Sequence, residues 1–445
     1  MVVGKKLAKE SLLPAVLEDN DAETEIEMLD GRENRASSRP QHAFSGENID
    51  IQPLTRSGSG GQSNLEGVEL SDRGEEKADE GEEDKQGSEG GGGDGDTQEK
   101  GRESLTTAAD EEYDTDLELE DVKKAYDPTG QTWYREACRM FNVVPVSYFL
   151  RHMQDTELTM MHHGLGPQGT KALAVPLVTN TSLLKLNLRD NWMEGMGGAA
   201  MAEMLKENCY ITELDLGENR LGELGAEALS SMLLENVTLV SLSLSGNELP
   251  DSAAQHLAKA LTSNTKLESL DLSHNNMGDA AGEILGNAIA ENTGMTSLSL
   301  AWNSIREKGA VALSKGLGAN IFLRTLDLSY NGLGKEGAIA LGQALQENNT
   351  LEELNISNSR IPPEGAIRFA MGLKVNKTIK ALNIGRNPIQ TAGCYGVLKA
   401  IQDNPKSAME SLDFSEITVN QDFEDLHVAV KDIFPNIQVK HGGKI

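Results

Sequence analysis

Apolar residues alternate between two patterns along most of the chain after Leu158. The first is a short run, L-x-x-L-x-L, in which leucines such as Leu214 and Leu216 stand two residues apart, a period typical of a β-strand. The second reads G-A-x-A-L-x-x-x-L, as in residues 225–233, and its spacing of three and four predicts an amphipathic helix. Each unit is therefore predicted to be a strand, a loop, a helix and a turn.

Two ladders of asparagine fix the length of this unit. The first follows the strand pattern at intervals of 28 residues, with Ser359 in place of asparagine at one step: Asn191, Asn219, Asn247, Asn275, Asn303, Asn331 and Asn387. The second follows the helix pattern, at positions 180, 208, 236, 264, 292, 320, 348, 376 and 404. We expect the first ladder to satisfy backbone groups of the neighbouring turn. We expect the second to end the helices in a left-handed turn, which asparagine tolerates.

Geometry predicts how such units stack. Parallel strands lie about 4.8 Å apart, whereas helices with their side chains are about 10 Å wide. Identical units therefore cannot stack straight. The prediction is an α/β solenoid, a curved horseshoe with a parallel inner sheet and outer helices, in which leucines fill the space between the two layers.

Charge and composition divide the chain into four parts. Residues 1–122 are predicted to be a disordered acidic tail, because few apolar residues accompany runs such as GEEKADEGEEDK. Residues 123–157, which are rich in aromatic side chains, are predicted to form a helical cap. The repeats of about 28 residues occupy 158–417, and 418–445 are predicted to form a C-terminal cap with a closing helix. Between the last two repeats the register slips, because Leu412 follows Leu382 by 30 residues.

The net charge of −30 disfavours nucleic acid and anionic membranes as partners. No run approaches the roughly 18 apolar residues that a spanning helix needs. The short apolar N-terminal piece from Leu12 to Leu17 is interrupted by proline. We therefore expect a cytoplasmic protein, with its three cysteines as buried structural thiols.

The motif L-x-x-L-x-L-x-x-N-x-L-x-x-x-G-A-x-x-L-x-x-A-L resembles the ribonuclease-inhibitor type of leucine-rich repeat. Such repeats also occur in cytosolic immune receptors, Ran GTPase-activating proteins and tropomodulins. The segment from Tyr134 to Met153, YREAC to YFLRHM, makes the chain similar to the leucine-rich repeat-containing protein 74 family. The resemblance implies a curved protein-binding solenoid and supplies no catalytic residue.

Other motifs indicate no cofactor or metal. GLGPQG at 164–169 and GLGKEG at 332–337 match a dinucleotide fingerprint, but their glycines fall on repeat positions, so we interpret them as structural turns. The neighbouring His162 and His163 lack a plausible set of further metal ligands.

The inner sheet is predicted to be small and polar, with larger side chains directly before the first ladder. His274, Trp302 and Tyr330 occupy this position in three consecutive repeats and should line up about 5 Å apart. Arg386, in the same position, and Arg189 complete the candidate partner-binding set. The resemblance supports this choice, since ribonuclease-inhibitor-type repeats commonly place binding aromatics there. The alternative is that Trp302 and Tyr330 only cover the loop edge of the core. Trp192, on the far side of Asn191, is expected to be a core residue.

These observations predict a monomeric, non-enzymatic scaffold that binds a protein partner on its concave face or rim. The alternative is a GTPase activator of the Ran-activating type, which shares the repeats and an acidic tract. In that family the tract follows the repeats, whereas here it precedes them.

Overall fold

The computed structural model describes residues 127–445. The predicted disordered tail, and the first residues of the predicted N-terminal cap, lie outside this range. The described chain begins with two helices, α1 (Gln131–Phe141) and α2 (Ser147–His152), and the first strand, β1 (Glu157–Thr159).

Strands and helices then alternate, as the two apolar patterns predict. In chain order they are α3 (Gly166–Leu177), β2 (Lys185–Asn187), α4 (Glu194–Glu207), β3 (Glu213–Asp215), α5 (Gly222–Leu233), β4 (Ser241–Ser243), α6 (Ala253–Ser263), β5 (Ser269–Asp271), α7 (Asp279–Glu291), β6 (Ser297–Ser299), α8 (Glu307–Ala319), β7 (Thr325–Asp327), α9 (Gly334–Glu347), β8 (Glu353–Asn355), α10 (Pro363–Leu373), β9 (Ala381–Asn383), α11 (Gln390–Gln402), β10 (Ser411–Phe414), α12 (Gln421–Ile433) and β11 (Gln438–His441).

All eleven strands of the described chain form one parallel sheet in sequence order, which confirms the predicted solenoid. From β1 to β9, neighbouring strands pair with an offset of 28 residues, so Leu186 lies beside Leu214. The predicted slip is also present, because Leu412 pairs with Leu382. The sequence reading did not foresee β11, in which Val439 continues the row beside Leu412.

The core lies between the sheet and the helices. Leucines at the strand positions and on one face of each helix are buried, as Leu242 and Leu257 show. Burying such a side chain contributes about 1.5–3 kcal/mol. Because a single repeat could not cover its own apolar face, the stack stabilises each unit through its neighbours.

The first asparagine ladder joins successive repeats, as predicted. The Asn247 amide donates a hydrogen bond to the Leu216 carbonyl of the preceding repeat at 2.9 Å. Its oxygen accepts from the backbone N–H of Asn219, also at 2.9 Å. The side chain is fully buried, so it satisfies loop groups that water cannot reach.

The second ladder behaves differently from the prediction. The backbone φ of these residues lies between −79° and −68° at the five helix ends formed by Asn208, Asn264, Asn292, Asn320 and Asn348. The left-handed prediction is therefore wrong. Asparagine is useful here for its side chain: the Asn264 amide donates to the Leu233 carbonyl of the preceding repeat at 2.7 Å, and its oxygen accepts from Lys266 and Leu267 N–H, both at 2.8 Å.

Aromatic side chains close the core at both ends. At the N-terminal end the rings of Tyr134 and Phe149 meet edge to face at 4.7 Å, and the Tyr134 hydroxyl oxygen accepts from Val146 N–H. At the C-terminal end Asn420 caps α12 through Phe423 N–H. Phe423 is fully buried and meets Phe414 edge to face at 5.8 Å.

The thiols only partly follow the prediction. Cys138 and Cys394 are buried, but Cys209 is exposed, because it lies in the turn between α4 and β3. Burial raises the pKa of Cys138 to about 11 and that of Cys394 to about 12. The longest helices of residues 127–445 have 14 residues, and none is long and apolar enough to cross a membrane.

Candidate partner-binding surface

In each repeat, the residue directly before the first-ladder position belongs to a row that we call the rim row. The row includes the two end repeats, where His163 and Ile417 stand in place of the ladder asparagine. It runs through His162, Asp190, Glu218, Gly246, His274, Trp302, Tyr330, Asn358, Arg386 and Glu416. All ten residues have a left-handed backbone, with φ between 50° and 70°. The left-handed turn that we had placed at the helix ends thus lies here, where the chain turns away from the sheet.

Backbone hydrogen bonds hold the rim row in register. Trp302 N–H donates to the Ser329 carbonyl, and Tyr330 N–H donates to the Ser357 carbonyl, both at 2.9 Å. These bonds continue the ladder of the sheet beyond the ends of the strands. Consecutive rim residues are therefore held about one strand spacing apart, close enough for planar side chains to stack.

Three rim residues form an aromatic stack. The His274 and Trp302 rings are 5.2 Å apart with an interplanar angle of 15°, and the Trp302 and Tyr330 rings are 3.9 Å apart at 11°. Trp302 remains 48% exposed. The alignment predicted from the sequence is thus present, with the ring edges left to face solvent because the faces of Trp302 are covered by its neighbours.

Arg386 extends this stack at its C-terminal end. Its guanidinium donates a hydrogen bond of 2.5 Å to the Tyr330 hydroxyl oxygen, two repeats away. The same group forms an ion pair with Glu416 at 3.0 Å. The bond to Tyr330 and the nearby carboxylate raise the pKa of Arg386. The aromatic stack therefore ends in a fixed positive charge.

Arg189 lies apart from this group. Its guanidinium donates to the Glu218 carboxylate at 2.5 Å, and this bond raises the Arg189 pKa. Gly246 has no side chain and separates Glu218 from His274 along the rim row. The structure thus brings together four of the five candidate residues and leaves Arg189 near the N-terminal end.

Small, buried residues directly precede the three residues of the aromatic stack, and we call them the floor: Ser273, Ala301 and Ser329. On the sheet side of the floor, Asp271 and Asp327 each accept a hydrogen bond from a floor N–H through one carboxylate oxygen, at 2.9 and 2.8 Å. A partner that contacts the stack would therefore approach a small, polar floor.

Trp192 contradicts the sequence prediction. It is 56% exposed rather than buried, and the Arg220 guanidinium covers its ring at 4.9 Å. The core position is one residue later, where Met193 is fully buried. The residue directly after the ladder asparagine faces outward because the chain is still turning, with a φ of 53° at Trp192.

Two further residues complete the surface without being among the candidate anchors. Asn358 is the rim residue between Tyr330 and Arg386, and Glu416 pairs with the Arg386 side chain. Both positions follow from the repeat register, since Asn358 lies directly before Ser359 and Glu416 lies four residues after Leu412, as Arg386 lies four residues after Leu382. The register does not show that the Glu416 carboxylate pairs with Arg386, because that contact depends on side-chain conformation.

The glycine motifs begin helices. Gly166 and Gly334 start α3 and α9 with φ of 60°, as expected for structural turns. Within residues 127–445, no group of three or more His, Cys, Asp and Glu side chains is placed to hold a metal ion.

Known proteins support the type of repeat. The family described as Leucine Rich repeat matches seven segments, at 179–202, 207–230, 263–285, 291–314, 319–342, 347–370 and 375–397. These segments lie within the parallel solenoid, so residues 127–445 have a leucine-rich-repeat fold. The unit between the second and third segments, with β4 and α6, is also complete in the structure.

Two curated proteins are similar over short stretches. The human leucine-rich repeat-containing protein 74B is 52% identical over 50 residues, 11% of this chain and 13% of that protein. Its mouse counterpart is 44% identical over 64 residues, 14% of this chain and 16% of that protein. These matches therefore span less than a fifth of the curated relatives. A solved internalin from Listeria monocytogenes is 16% identical, with a TM-score of 0.36, over 72% of this chain and 90% of that chain.

Proposed function

We propose that this protein is a non-enzymatic interaction scaffold whose aromatic stack binds a protein partner at the rim of the concave face. His274, Trp302, Tyr330 and Arg386 are the proposed anchors, and Arg189 is a separate, secondary contact. Leucine-rich repeats generally mediate protein–protein interaction, which supports this class of function.

The observation that carries the proposal is the backbone conformation of the stack. A left-handed φ suits glycine and asparagine but is uncommon for bulky residues. The rim row has a glycine at Gly246 and an asparagine at Asn358. Between these two positions it places His274, Trp302 and Tyr330 in consecutive repeats. Folding alone does not account for large side chains at these positions, so we infer that they serve recognition.

The chemistry of the stack suits a protein interface. Binding energy is usually concentrated in a few Trp, Tyr and Arg side chains, surrounded by weaker contacts that exclude water. Trp302 and Tyr330 are rigidified by mutual stacking, and Tyr330 is held further by Arg386. Side chains that are already ordered lose little entropy on binding.

The test replaces the anchors with the residue that the rim row itself uses. The partner is first identified by cross-linking to the full chain. We expect the Trp302→Asn, Tyr330→Asn double variant to lose more than about 2 kcal/mol of binding free energy for this partner, roughly a thirtyfold loss of affinity. Isothermal titration calorimetry measures the change. Thermal unfolding should occur at the same temperature or higher, since asparagine tolerates the left-handed backbone.

The matched control is Trp192→Ala, which removes an equally exposed tryptophan outside the stack. It should leave the affinity unchanged. Unaltered binding by the double variant, with the fold intact, would exclude the aromatic stack as the binding surface. We also expect no acceleration of GTP hydrolysis by Ran; acceleration would favour the activator alternative.

A further inference from the structure

The outer surface of the helices contains a second unusual feature, which the repeat itself reveals. Residues 28 apart occupy equivalent positions in successive helices. The position of Met371 is polar in seven other repeats: Glu203, Ser231, Lys259, Asn287, Lys315, Gln343 and Lys399. On α3 it is Val175, which packs against the core. The position of Val375 is polar or small: Glu207, Glu235, Ser263, Glu291, Ala319, Glu347 and Asp403. Only the α10 repeat makes both positions large and apolar.

These side chains form one exposed stripe. Ile367, Met371 and Val375 follow one another along the outer side of α10 and its end, and they are 45%, 51% and 53% exposed. Tyr395 on α11 lies beside the stripe and is 38% exposed. The two helices touch here, because a Cβ at Gly396 would be 3.1 Å from an Ile367 side-chain carbon.

The fold does not require this stripe. Gln343 and Glu347 occupy the same two positions on α9, which packs directly against α10. Large apolar side chains exposed to water are unfavourable, and a contiguous group of them on a protein surface marks an interaction site.

Basic side chains predominate on α10, α11 and the turns that follow them, in a chain with a net charge of −30. Residues 365–409 contain seven Lys and Arg and one carboxylate, Asp403. Two of the seven lie on the sheet side, where Lys380 pairs with Glu352 at 2.6 Å and Arg386 with Glu416 at 3.0 Å.

Asp403 is shared by Lys374 at 3.0 Å and Lys399 at 3.1 Å. Hydrogen bonds from these two lysines lower the pKa of Asp403. Arg368 and Lys377 are exposed close to the stripe in sequence.

We infer that the outer face of α10 and α11 is a second docking surface, which binds an acidic segment of a protein partner carrying apolar side chains at helical spacing. Its apolar residues would cover Ile367, Met371 and Val375. Its carboxylates would pair with Arg368 and with the two lysines that now share Asp403. A basic or uncharged segment would not complement the basic side chains around the stripe. The proposal is independent of the aromatic stack, which lies on the opposite layer of the solenoid.

The experiment selects peptides from a random library of 16-residue helical sequences displayed on phage, with the full chain as bait. The comparison bait is the Met371→Gln, Val375→Glu double variant, which installs the residues of α9. We expect wild type to enrich peptides with Asp and Glu around Leu, Ile or Phe spaced three or four residues apart. This enrichment should disappear with the variant.

Affinities are then measured for one enriched peptide by fluorescence anisotropy. The double variant should bind at least about tenfold more weakly, and wild-type binding should weaken as salt is raised, because charge pairs contribute. Trp302→Asn, Tyr330→Asn should bind the peptide like wild type, which separates this surface from the aromatic stack. Unfolding temperatures of all variants should agree, since the introduced residues already occur in the neighbouring repeat.

Three outcomes would overturn the inference. The first is the absence of peptides that prefer wild type over the Met371→Gln, Val375→Glu variant. The second is the enrichment of basic peptides. The third is a wild-type dimer, seen by sedimentation, that the same variant converts to a monomer, which would show that a second copy covers the stripe.

Discussion

At the scale of single residues, the fold depends on side chains that both donate and accept hydrogen bonds. An asparagine amide has two hydrogens and a carbonyl oxygen, so one side chain serves several loop groups. Asn219 illustrates this: its amide donates to three carbonyls within 3.0 Å, and its oxygen accepts from Asn191 N–H at 2.8 Å. A serine hydroxyl in the same position has a single hydrogen to donate, so it serves fewer of these groups.

Ser359 is the exception that allows a test. Its hydroxyl has one hydrogen to share between the carbonyls of Leu328 and Ser357, at 3.2 and 3.1 Å. We predict that Ser359→Asn stabilises the protein by about 1 kcal/mol, because the amide supplies additional buried hydrogen bonds. Urea unfolding followed by circular dichroism measures the change. The reverse substitution, Asn247→Ser, should destabilise, and a lower stability for Ser359→Asn would contradict the account.

Burial also separates the three cysteines. The thiolate is the reactive form, and burial raises the pKa of Cys138 and Cys394 well above that of a free thiol. We predict that one thiol per chain, Cys209, reacts rapidly with Ellman's reagent at pH 8, while the other two react only on unfolding. A Cys209→Ser variant is the control and should show no fast phase. Two fast thiols in the wild type would be inconsistent with the buried positions.

At the scale of elements, glycine sets how closely neighbouring helices approach. A Cβ at Gly316 on α8 would overlap the Gly286 carbonyl oxygen on α7, and a Cβ at Gly282 would lie 2.7 Å from the Gly309 Cα. These contacts leave no room for a side chain. The repeat spacing alone does not reveal them, because it predicts that a helix is present but not how far it lies from the next.

We predict that Gly316→Ala destabilises the protein by about 1–3 kcal/mol through overpacking between α7 and α8. The matched control is Gly318→Ala in the same helix, where a Cβ would make ordinary contacts at 3.4 Å and beyond. That variant should be neutral or slightly stabilising, because alanine favours helix. The unfolding temperatures of the two variants test this prediction. Equal stabilities would contradict the close contact of α7 and α8 at Gly316.

At the scale of the whole described chain, each unit contacts mainly its neighbours. Consecutive helices pack against each other, and consecutive strands pair, from β1 to β11. In such a stack, stability is close to a sum over units and their interfaces. Damage at one end should therefore remain local until the stack as a whole unfolds.

Phe423 provides the corresponding prediction. Its replacement by Ala removes a fully buried ring between α12 and β10 and should cost about 3–5 kcal/mol locally. By hydrogen exchange, we expect faster exchange in β10, α12 and β11 and unchanged exchange in β2 to β5. Uniformly faster exchange along the sheet would instead indicate a single cooperative unit.

The sequence by itself determined the type of unit, the parallel sheet and the rim row, because leucine and asparagine positions repeat at a fixed interval and each has a local physical role. It also placed His274, Trp302 and Tyr330 in line. It misplaced the left-handed turn and wrongly predicted that Trp192 and Cys209 are buried, since one residue of rotation in a turn decides which way a side chain faces. Only the tertiary structure brought Arg386 to Tyr330 and exposed the stripe on α10, because contacts between repeats depend on how the units stack and not on the spacing within one of them.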